Sequence, residues 1–252
     1  MQPEAAPAPP ESVVALEFPD GTVLARWLCT PQRVPDLALG WLYSEGLIDD
    51  PDEVIRFEGI SPVRQCIRAR DEEPIRRALS SRIWEVGPAR PLSIPAVHGR
   101  PAAPRSSGAE ASMPTRDPAV KALLAEPSHL KELFNEMFER THLKEAHGGG
   151  LHTGGHVIDG TLLDIVEDVS RSAVVDKLIG AALLEDSLGP SSLLLLSGRI
   201  SATIAAKLAR AGVGAAATIS VPTSLAVEIA DRYGVAIVGR ARRETPHRYG
   251  VR

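Results

Sequence analysis

The sequence predicts a mixed α/β fold, because short apolar runs and amphipathic segments alternate in its last quarter. Three runs, at residues 192–196, 215–219 and 235–238, are too short for helices and are bounded by turn residues. Such runs are typical of buried strands. Helical segments between consecutive strands favour right-handed crossovers and therefore a parallel sheet.

Two helices are predicted between these strands. The first spans residues 201–211 and stops at Gly212, and the second follows Thr223 and stops at Gly234. Glycine adopts the left-handed conformation that commonly ends a helix, and a hydroxyl at the start of a helix accepts a backbone N–H. Both helix N-termini are therefore expected at the carboxyl ends of the strands.

This edge of the predicted sheet is suited to bind an anion. In parallel α/β sheets, ligands lie beyond the strand ends, where helix N-termini present unpaired N–H groups and partial positive charge. Arg199 adds a full charge there. A second group of cations follows the last strand: Arg240, Arg242, Arg243, His247 and Arg248. A solvated basic tail is the alternative interpretation of this second group.

The first third of the chain predicts an α+β unit. Residues 13–18 and 22–29 flank Asp20-Gly21, a dipeptide typical of β-hairpin turns. Residues 34–47 predict a helix with one apolar face. Further elements follow: strands at 54–57 and 64–69, and a short helix or a bend at 74–79.

A proline-rich stretch divides the chain. Residues 86–118 contain seven prolines and show neither a helical nor a strand period, so we interpret them as a linker or long loop without regular elements. A helix is predicted behind it at 128–141. The predicted organisation is a flexible lead at 1–10, a smaller α+β N-terminal domain at 11–85, the linker at 86–118 and an α/β domain at 119–252.

Composition restricts the class of protein. With 252 residues, 44% of them hydrophobic, the chain can bury one large core or two modest ones. A net charge of −4 and a pI near 6.0 argue against nucleic acid as the main partner. No apolar run approaches the roughly 20 residues that span a bilayer, and the Ala/Pro/Glu-rich start lacks the pattern of a signal peptide. We therefore expect a cytoplasmic protein without a membrane segment.

Two cysteines occur, Cys29 and Cys66, both in apolar or strand-like surroundings. We interpret them as small buried side chains. A disulfide is not expected in a reducing compartment.

Residues 147–156 mix glycine and histidine in a pattern that no ordinary strand or helix prefers. Close approach of the backbone to a ligand is one explanation. A metal site is another, because four histidines of this region carry imidazoles: His142, His147, His152 and His156. Their spacing is not that of a standard metal-binding pair, and no cysteine or paired carboxylate completes a set, so no metal is assigned.

Six blocks, in order along the chain, resemble the formate dehydrogenase accessory proteins, the FdhD sulfurtransferase family. They read LALGWLYSEGLI (37–48), GGLH (149–152), EDV (167–169), VDKLIG (175–180), SGR (197–199) and PTSLAVE (222–228). The match covers residues 11–250 apart from the linker.

The resemblance implies a cytidine-deaminase-like α/β C-terminal domain and a homodimer. It implies binding of the molybdenum bis(molybdopterin guanine dinucleotide) cofactor as a client, with sulfur received from a cysteine desulfurase and passed to that cofactor to activate formate dehydrogenase. In the family, the segment after the last parallel strand contacts the cofactor. The matching residues here are Arg240, Ala241, Arg242, Arg243, Glu244 and Thr245.

The chain departs from the family where sulfur is carried. Family members hold a persulfide on a Cys-x-x-Cys loop after a Ser-Ser pair, which Ser106 and Ser107 match here. Gly108 and Ala111 stand where the cysteines belong. Neither side chain can form a persulfide, because that chemistry requires a thiolate. No catalytic residue is therefore assigned.

A second departure follows the EDV block. The family's Gly-Arg-His-Asn-Ala reads SRSAV here, which keeps Arg171 as the charged donor of that motif. We expect the ligand to contact these residues in addition to the 240–245 segment: Gly149, Gly150, His152, Arg171, Ser197, Arg199, Thr223 and Ser224. His152 can equally be interpreted as a core histidine.

Four functions compete. The first is a family member that has lost sulfur transfer and keeps the cofactor pocket, as a non-catalytic chaperone of a molybdoenzyme. The second is a working sulfurtransferase that uses Cys29 or Cys66. The third, a zinc deaminase, rests on the implied fold alone and lacks the required zinc motif. The fourth is a structural partner subunit, for which the arginines would be dispensable.

Overall fold

The computed structural model describes residues 7–80, 84–87, 90–93 and 117–249. The strands are β1 (Ser12–Glu17), β2 (Val23–Cys29), β3 (Val54–Ser61), β4 (Arg64–Ala69), β5 (Trp84–Gly87), β6 (Arg90–Ser93), β7 (His152–Ile158), β8 (Thr161–Asp168), β9 (Leu193–Leu196), β10 (Ala215–Thr218), β11 (Ala236–Gly239) and β12 (His247–Tyr249). The helices are α1 (Val34–Ser44), a 3-10 turn (Pro51–Glu53), α2 (Glu73–Ser80), α3 (Pro118–Ala125), α4 (Pro127–Glu139), α5 (Leu143–Ala146), α6 (Arg171–Leu184), α7 (Ala202–Arg210) and α8 (Ser224–Tyr233).

Two larger sheets organise these elements. The first has the order β2-β1-β4-β3 and the second the order β12-β11-β10-β9-β7-β8. Strands β9, β10 and β11 are parallel neighbours, joined through α7 and α8 as predicted. The predicted hairpin of β1 and β2 is also confirmed, with Gly21 at a φ of 82° in its turn. The predicted mixed α/β class is therefore confirmed.

The second sheet is covered on both faces. Leu194 and Leu196 of β9 belong to one buried cluster, whereas Leu193 and Leu195 belong to another, as expected for side chains that alternate across a sheet. The first cluster includes residues of α1, α6, α7, α8 and the first sheet. The second includes residues of α3 and α4. The larger cluster is continuous between the two sheets, and the division of the chain into two domains stays a prediction.

Helices α1 and α6 cross at a pair of glycines. A Cβ atom on Gly40 would lie 1.8 Å from the carbonyl oxygen of Asp176, and a Cβ on Gly180 would lie 1.9 Å from that of Asp36. No side chain fits at either position, so the backbones of the two helices touch. This crossing joins the N-terminal part of the chain to the second sheet.

The glycine-histidine segment corrects one prediction, because residues 152–156 form most of the buried strand β7. A Cβ on Gly154 would lie 2.5 Å from a methyl group of Val174, and one on Gly155 would lie 2.7 Å from a methyl group of Leu162. These two glycines are thus required by close packing on both faces of the strand, and their presence needs no ligand.

The prediction that 86–118 contains no regular element is wrong for its described residues. Strands β5 and β6 pair as an antiparallel hairpin, from Trp84 with Ser93 to Gly87 with Arg90. A short hairpin is held by its backbone ladder, and so it does not require the apolar period whose absence suggested a linker. Helix α3 begins at Pro118, after Asp117 accepts a hydrogen bond from the N–H of Ala119 at 2.8 Å. The remaining linker residues, including Ser106, Ser107, Gly108 and Ala111, lie outside the described residues.

Smaller corrections concern element ends. The basic tail contains the edge strand β12, in which Arg248 pairs with Val238. Helix α1 ends at Ser44 instead of residue 47, because Gly46 has a φ of 67° that no helix continues. The segment at 74–79 is a helix, α2, and not a bend.

Candidate functional site

The carboxyl ends of several strands and the amino end of an antiparallel strand lie at one edge of the second sheet. Strands β9 and β10 end there in register, at Leu196 and Thr218. The antiparallel β7 begins at the same place, since Gly154 pairs with Leu196 and His152 pairs with Asp168 at the end of β8. We call this the strand-end edge.

Three helices begin at the strand-end edge. A hydroxyl group caps each of them by accepting a backbone N–H: Ser170 for α6, Ser201 for α7 and Thr223 for α8. Each first turn still presents N–H groups without intrahelical partners and adds partial positive charge. The two predicted helix N-termini are confirmed, and α6 supplies a third.

Two arginines stand among these helix ends. Arg171 is the first residue of α6, and Arg199 follows β9 by three positions. Within the described part of the chain, neither guanidinium has a hydrogen bond or an ion pair. Both are therefore available to an anion at the edge.

The two arginines and His152 line a narrow cleft of about 10 Å³. Gly198 lies between them: a Cβ there would be 2.7 Å from Cδ of Arg171 and 3.2 Å from Nδ1 of His152. The cleft is too small to enclose a phosphate. An anion would instead lie over its mouth, in contact with the guanidinium groups and the helix ends.

His152 is half-buried in this cleft. Burial, and then the neighbouring charge of Arg171, lower the pKa of its imidazole below the ordinary value of 6.5. The ring is therefore neutral at pH 7, and a bound anion would raise its pKa again. The structure thus places His152 beside both arginines as a candidate contact.

Thr153 is a site residue that the sequence did not suggest. Its side chain is 1% exposed, it lines the same cleft, and its Oγ1 atom has no hydrogen-bond partner among the described residues. A buried hydroxyl without a partner is costly and unusual in a native protein. No signal in the sequence marks this threonine, because the orphaned atom is visible only in three dimensions.

Hydrogen bonds of two hydroxyl groups connect the strand ends. Ser197, a predicted ligand contact, accepts the N–H of Thr153 at 2.8 Å. Thr218 donates to the carbonyl of Gly198 at 2.7 Å and accepts the N–H of Ser220 at 3.0 Å. Ser197 therefore shapes the edge, and its own hydroxyl hydrogen remains available. Of the two predicted residues at α8, Thr223 is occupied in capping and Ser224 is exposed.

The segment after β11 reaches the edge only at its start. The N–H of Arg240 donates to the carbonyl of Ser220 at 2.7 Å, and the fully buried Ala241 donates to that of Thr218 at 2.9 Å. Arg242 turns away and donates to Oδ1 of Asn135 at 2.8 Å. The other predicted residues of this segment are exposed, without a side-chain hydrogen bond in the described part of the chain: Arg243, Glu244 and Thr245.

A larger cavity of about 410 Å³ lies beside the edge. It is lined by Phe138, Glu139, Thr141, Lys144, Glu145, Gly148 and Gly149. Gly149 has a φ of 126°, which only glycine adopts readily. Gly150 serves another purpose, because a Cβ there would lie 2.8 Å from the ring of Pro9. Of these two predicted contacts, Gly149 therefore lines a cavity and Gly150 packs against the N-terminal segment.

Comparison with known proteins identifies the family. The model of the FdhD/NarQ family matches residues 10–251. This chain belongs to the FdhD/NarQ family. The sulfur carrier protein FdhD of Anaeromyxobacter sp. strain K is 34% identical to it over 263 positions, which cover 94% of this chain and 86% of that protein. FdhD of Sulfurisphaera tokodaii is 32% identical, with coverage of 89% and 81%.

A solved structure shows the same fold. It is a crystal structure assigned as a formate dehydrogenase accessory protein of Desulfotalea psychrophila, with a TM-score of 0.71 at 20% identity. The similarity covers 96% of this chain and 87% of that one.

Acidic residues of the EDV block accept backbone hydrogen bonds that hold the fold. In the EDV block, Glu167 accepts three backbone N–H groups at the start of α5, those of His142, Leu143 and Lys144, at 2.7–2.9 Å. Asp168 accepts the N–H of Ser170 at 2.7 Å and so positions the first turn of α6. This block therefore shapes the cavity wall and the strand-end edge.

A second buried network joins two other blocks, 37–48 and 175–180. Lys207 of α7 donates to Asp176 at 2.8 Å, to Glu45 at 2.8 Å and to Ser44 at 3.0 Å. Burial alone would lower the pKa of Lys207, but the two carboxylates hold it above its ordinary value. The charged form is therefore maintained, and α1, α6 and α7 are joined through it.

Both cysteines are poor sulfur carriers. Cys29 is fully buried and Cys66 is 5% exposed. Burial raises the pKa of the Cys66 thiol above its ordinary value, and a thiol that stays protonated is a weak nucleophile. The prediction that both cysteines are buried is confirmed.

The described residues contain no group of three or more His, Cys, Asp and Glu side chains that could hold a metal ion. His142, His147, His152 and His156 are thus not assembled into such a group. Among the described helices, none is sufficiently long and apolar to cross a membrane. The cytoplasmic location stays a prediction.

Proposed function

We propose that this FdhD-family chain is an accessory protein of formate dehydrogenase or a related molybdoenzyme. It binds the molybdenum bis(molybdopterin guanine dinucleotide) cofactor as cargo at the strand-end edge and does not carry sulfur on its own cysteines. The single observation that carries the proposal is the convergence of three helix N-termini with Arg171 and Arg199 at one edge.

The residues present at the edge fit a phosphorylated ligand. Unpaired guanidinium groups and helix N-termini are the donors that phosphates prefer. Arg171, Arg199 and Arg240 would hold the phosphates, and neutral His152 would contribute one hydrogen bond. The bound cargo supplies the molybdenum centre for the client enzyme.

The role in formate dehydrogenase maturation is supported by the solved neighbour, which is assigned as a formate dehydrogenase accessory protein. The sequence relatives are named sulfur carrier proteins. Sulfur transfer by this chain is not part of the proposal. Persulfide chemistry needs an accessible thiolate, and the sequence holds two cysteines, both buried. The protein is then a non-catalytic chaperone of the cofactor.

We further propose that it acts as a homodimer, as the family resemblance implies. Sulfur for the cofactor would come from a cysteine desulfurase or another thiol-bearing protein and would not pass through this chain.

Titration calorimetry with GDP tests the binding site. Arg171→Ala and Arg199→Ala should each weaken GDP binding about tenfold or more, since a hydrogen bond to a charged group contributes roughly 1.5–3 kcal/mol. Arg232→Ala removes the same charge from the far end of α8 and should leave the affinity unchanged. Equal affinity for all four proteins, or no affinity for GDP in any of them, would refute the proposed site.

Mass spectrometry tests the absence of sulfur transfer. The protein is incubated with a cysteine desulfurase and cysteine, and its intact mass is measured before and after reduction. We expect no reducible addition of a sulfur atom. A persulfide on Cys29 or Cys66 would instead favour the working sulfurtransferase.

A further inference from the structure

The loop that carries Arg199 is anchored by its backbone on both sides of that residue. Before it, the N–H of Ser197 donates to the carbonyl of Thr153 at 2.9 Å. After it, the carbonyl of the buried Ile200 accepts the N–H of Thr223 at 3.0 Å. The peptide group that precedes Arg199 lies between these two anchors, and its orientation contributes to the position of the arginine.

One buried hydroxyl group holds that peptide. Thr218, the last residue of β10, is fully buried, and its Oγ1 atom donates to the carbonyl oxygen of Gly198 at 2.7 Å. Within the part of the chain that the structure describes, this is the only hydrogen bond to the peptide group that joins Gly198 to Arg199. A planar peptide group rotates as a unit. The bond that fixes its carbonyl therefore also fixes its N–H, which belongs to Arg199.

The same hydroxyl group holds the loop between β10 and α8. It accepts the N–H of Ser220 at 3.0 Å. The carbonyl of Ser220 in turn accepts the N–H of Arg240 at 2.7 Å. The single hydrogen of the Thr218 hydroxyl and one of its lone pairs are thus both used between loops. The hydroxyl therefore connects the loop after β9 to the loop after β10.

Ser192 is a buried hydroxyl at the opposite end of the same sheet. It immediately precedes β9 and is fully buried. Its Oγ atom lies 3.0 Å from Nε2 of His156 and accepts the N–H of Gly189 at 3.1 Å. Neither partner belongs to the strand-end edge. Ser192 and Thr218 therefore resemble each other in burial and bonding, and they differ in that Thr218 contacts a loop with a candidate ligand group.

We infer that Thr218 is a positioning residue of the anion site: its hydroxyl fixes the Gly198–Arg199 peptide and thereby holds the Arg199 guanidinium where the ligand phosphates bind. Thr218 itself is buried and does not contact the ligand. The inference rests on the proposed function, because it assigns how one of the two arginines of that site is held in place.

Titration calorimetry with GDP tests this inference through two pairs of side chains. Thr218→Val keeps the volume and removes the hydroxyl, and it should weaken GDP binding about fivefold or more, within the coupling measured between residues of one hydrogen-bond network. Thr218→Ser keeps the hydroxyl and should bind GDP within about twofold of the wild type. Thr218→Ala lacks the hydroxyl and should lose affinity as the valine variant does. The comparison of serine with alanine decides the question if the valine variant does not fold.

A double-mutant cycle shows whether Thr218 acts through Arg199. In the Arg199→Ala background, Thr218→Val should change the affinity for GDP less than about twofold, because the side chain that it positions is absent. Ser192→Ala is the matched control. It should lower the unfolding midpoint and leave the affinity for GDP unchanged.

The outcomes separate this inference from the proposed function. If GDP binds and Arg199→Ala weakens it, but Thr218→Val and Thr218→Ala bind GDP as tightly as the wild type, this inference is overturned and the proposed function stands. Losses that add fully to that of Arg199→Ala, or an equal loss of affinity in Ser192→Ala, overturn it in the same way. If GDP does not bind, both are overturned.

Discussion

Lys177 donates a hydrogen bond to Asp168 at 2.5 Å, and both side chains are fully buried. Lys177 also donates to the carbonyl of Thr30 at 2.9 Å, and Asp168 accepts the N–H of Thr30 at 3.2 Å. Through these hydrogen bonds, the pair connects the residue after β2 to the start of α6. The N-terminal part of the chain thereby helps to position Arg171, the first residue of α6.

Removal of one partner of this pair should be severe. Lys177→Met leaves the Asp168 carboxylate buried and uncompensated, which costs about 3–5 kcal/mol in comparable cases. We expect a loss of this size in the free energy of unfolding measured with urea. Asp168→Leu/Lys177→Met removes both charges and should recover part of the loss. If Lys177→Met is as stable as the wild type, the pair does not stabilise the connection between β2 and α6.

The α1–α6 crossing predicts a similar sensitivity at a glycine. Gly180→Ala places a Cβ 1.9 Å from a backbone carbonyl oxygen of α1, which cannot yield without moving the helix. We expect destabilisation of at least about 1–3 kcal/mol, the usual cost of overpacking. Gly189→Ala is the matched control, because its Cβ would meet nothing within 4 Å. Thermal unfolding of both variants measures the difference, and equal midpoints would contradict the close crossing.

A substitution at Gly198 should change ligand affinity more than stability. Gly198→Ala forces aside the side chains of Arg171 and His152. Both residues are only partly buried, so the fold can absorb the change. We expect the affinity for GDP to fall about tenfold with little change in the unfolding midpoint. A variant that binds as tightly as wild type would mean that the cleft does not position these two side chains for the ligand.

Two histidines predict how stability depends on pH. Burial lowers the pKa of His156, and burial together with Arg171 lowers that of His152, in each case below the ordinary value of 6.5. As the pH falls through 6.5, the two histidines of the unfolded chain bind protons while those of the folded chain stay neutral, so the free energy of unfolding decreases toward pH 5. His152→Gln/His156→Gln should reduce that slope between pH 7 and pH 5, measured by urea unfolding. An unchanged slope would assign the pH dependence to other groups.

The sequence predicted the strand-helix-strand modules well, because each apolar run is bounded by its own turn residues. The sequence did not predict β7, because Gly154 and Gly155 are typical of loops. In the structure, the side chains of Val174 and Leu162 occupy the space that side chains at these two positions would need. Local pattern does not record such contacts. The edge strand β12 escaped notice for a related reason, because a short polar strand has no apolar period.

The candidate site was predicted in part. Arg171, Arg199 and His152 come together because their blocks lie at strand ends and helix starts, which sequence can locate. Thr153 and Glu145 were not suggested, because an orphaned hydroxyl and a cavity wall depend on contacts between distant segments. The ion pairs of Lys177 and Lys207 likewise gave no local signal. Their partners Asp168, Glu45 and Asp176 lie in blocks that supported the family resemblance, but the sequence did not reveal that these residues are structural.

A crystal structure of the protein soaked with GDP tests the central claim most directly. We expect the diphosphate over the N-termini of α6 and α7, within hydrogen-bond distance of Arg171 and Arg199. A nucleotide found on the first sheet, or at the basic turn after β11 without contact to these two arginines, would contradict it.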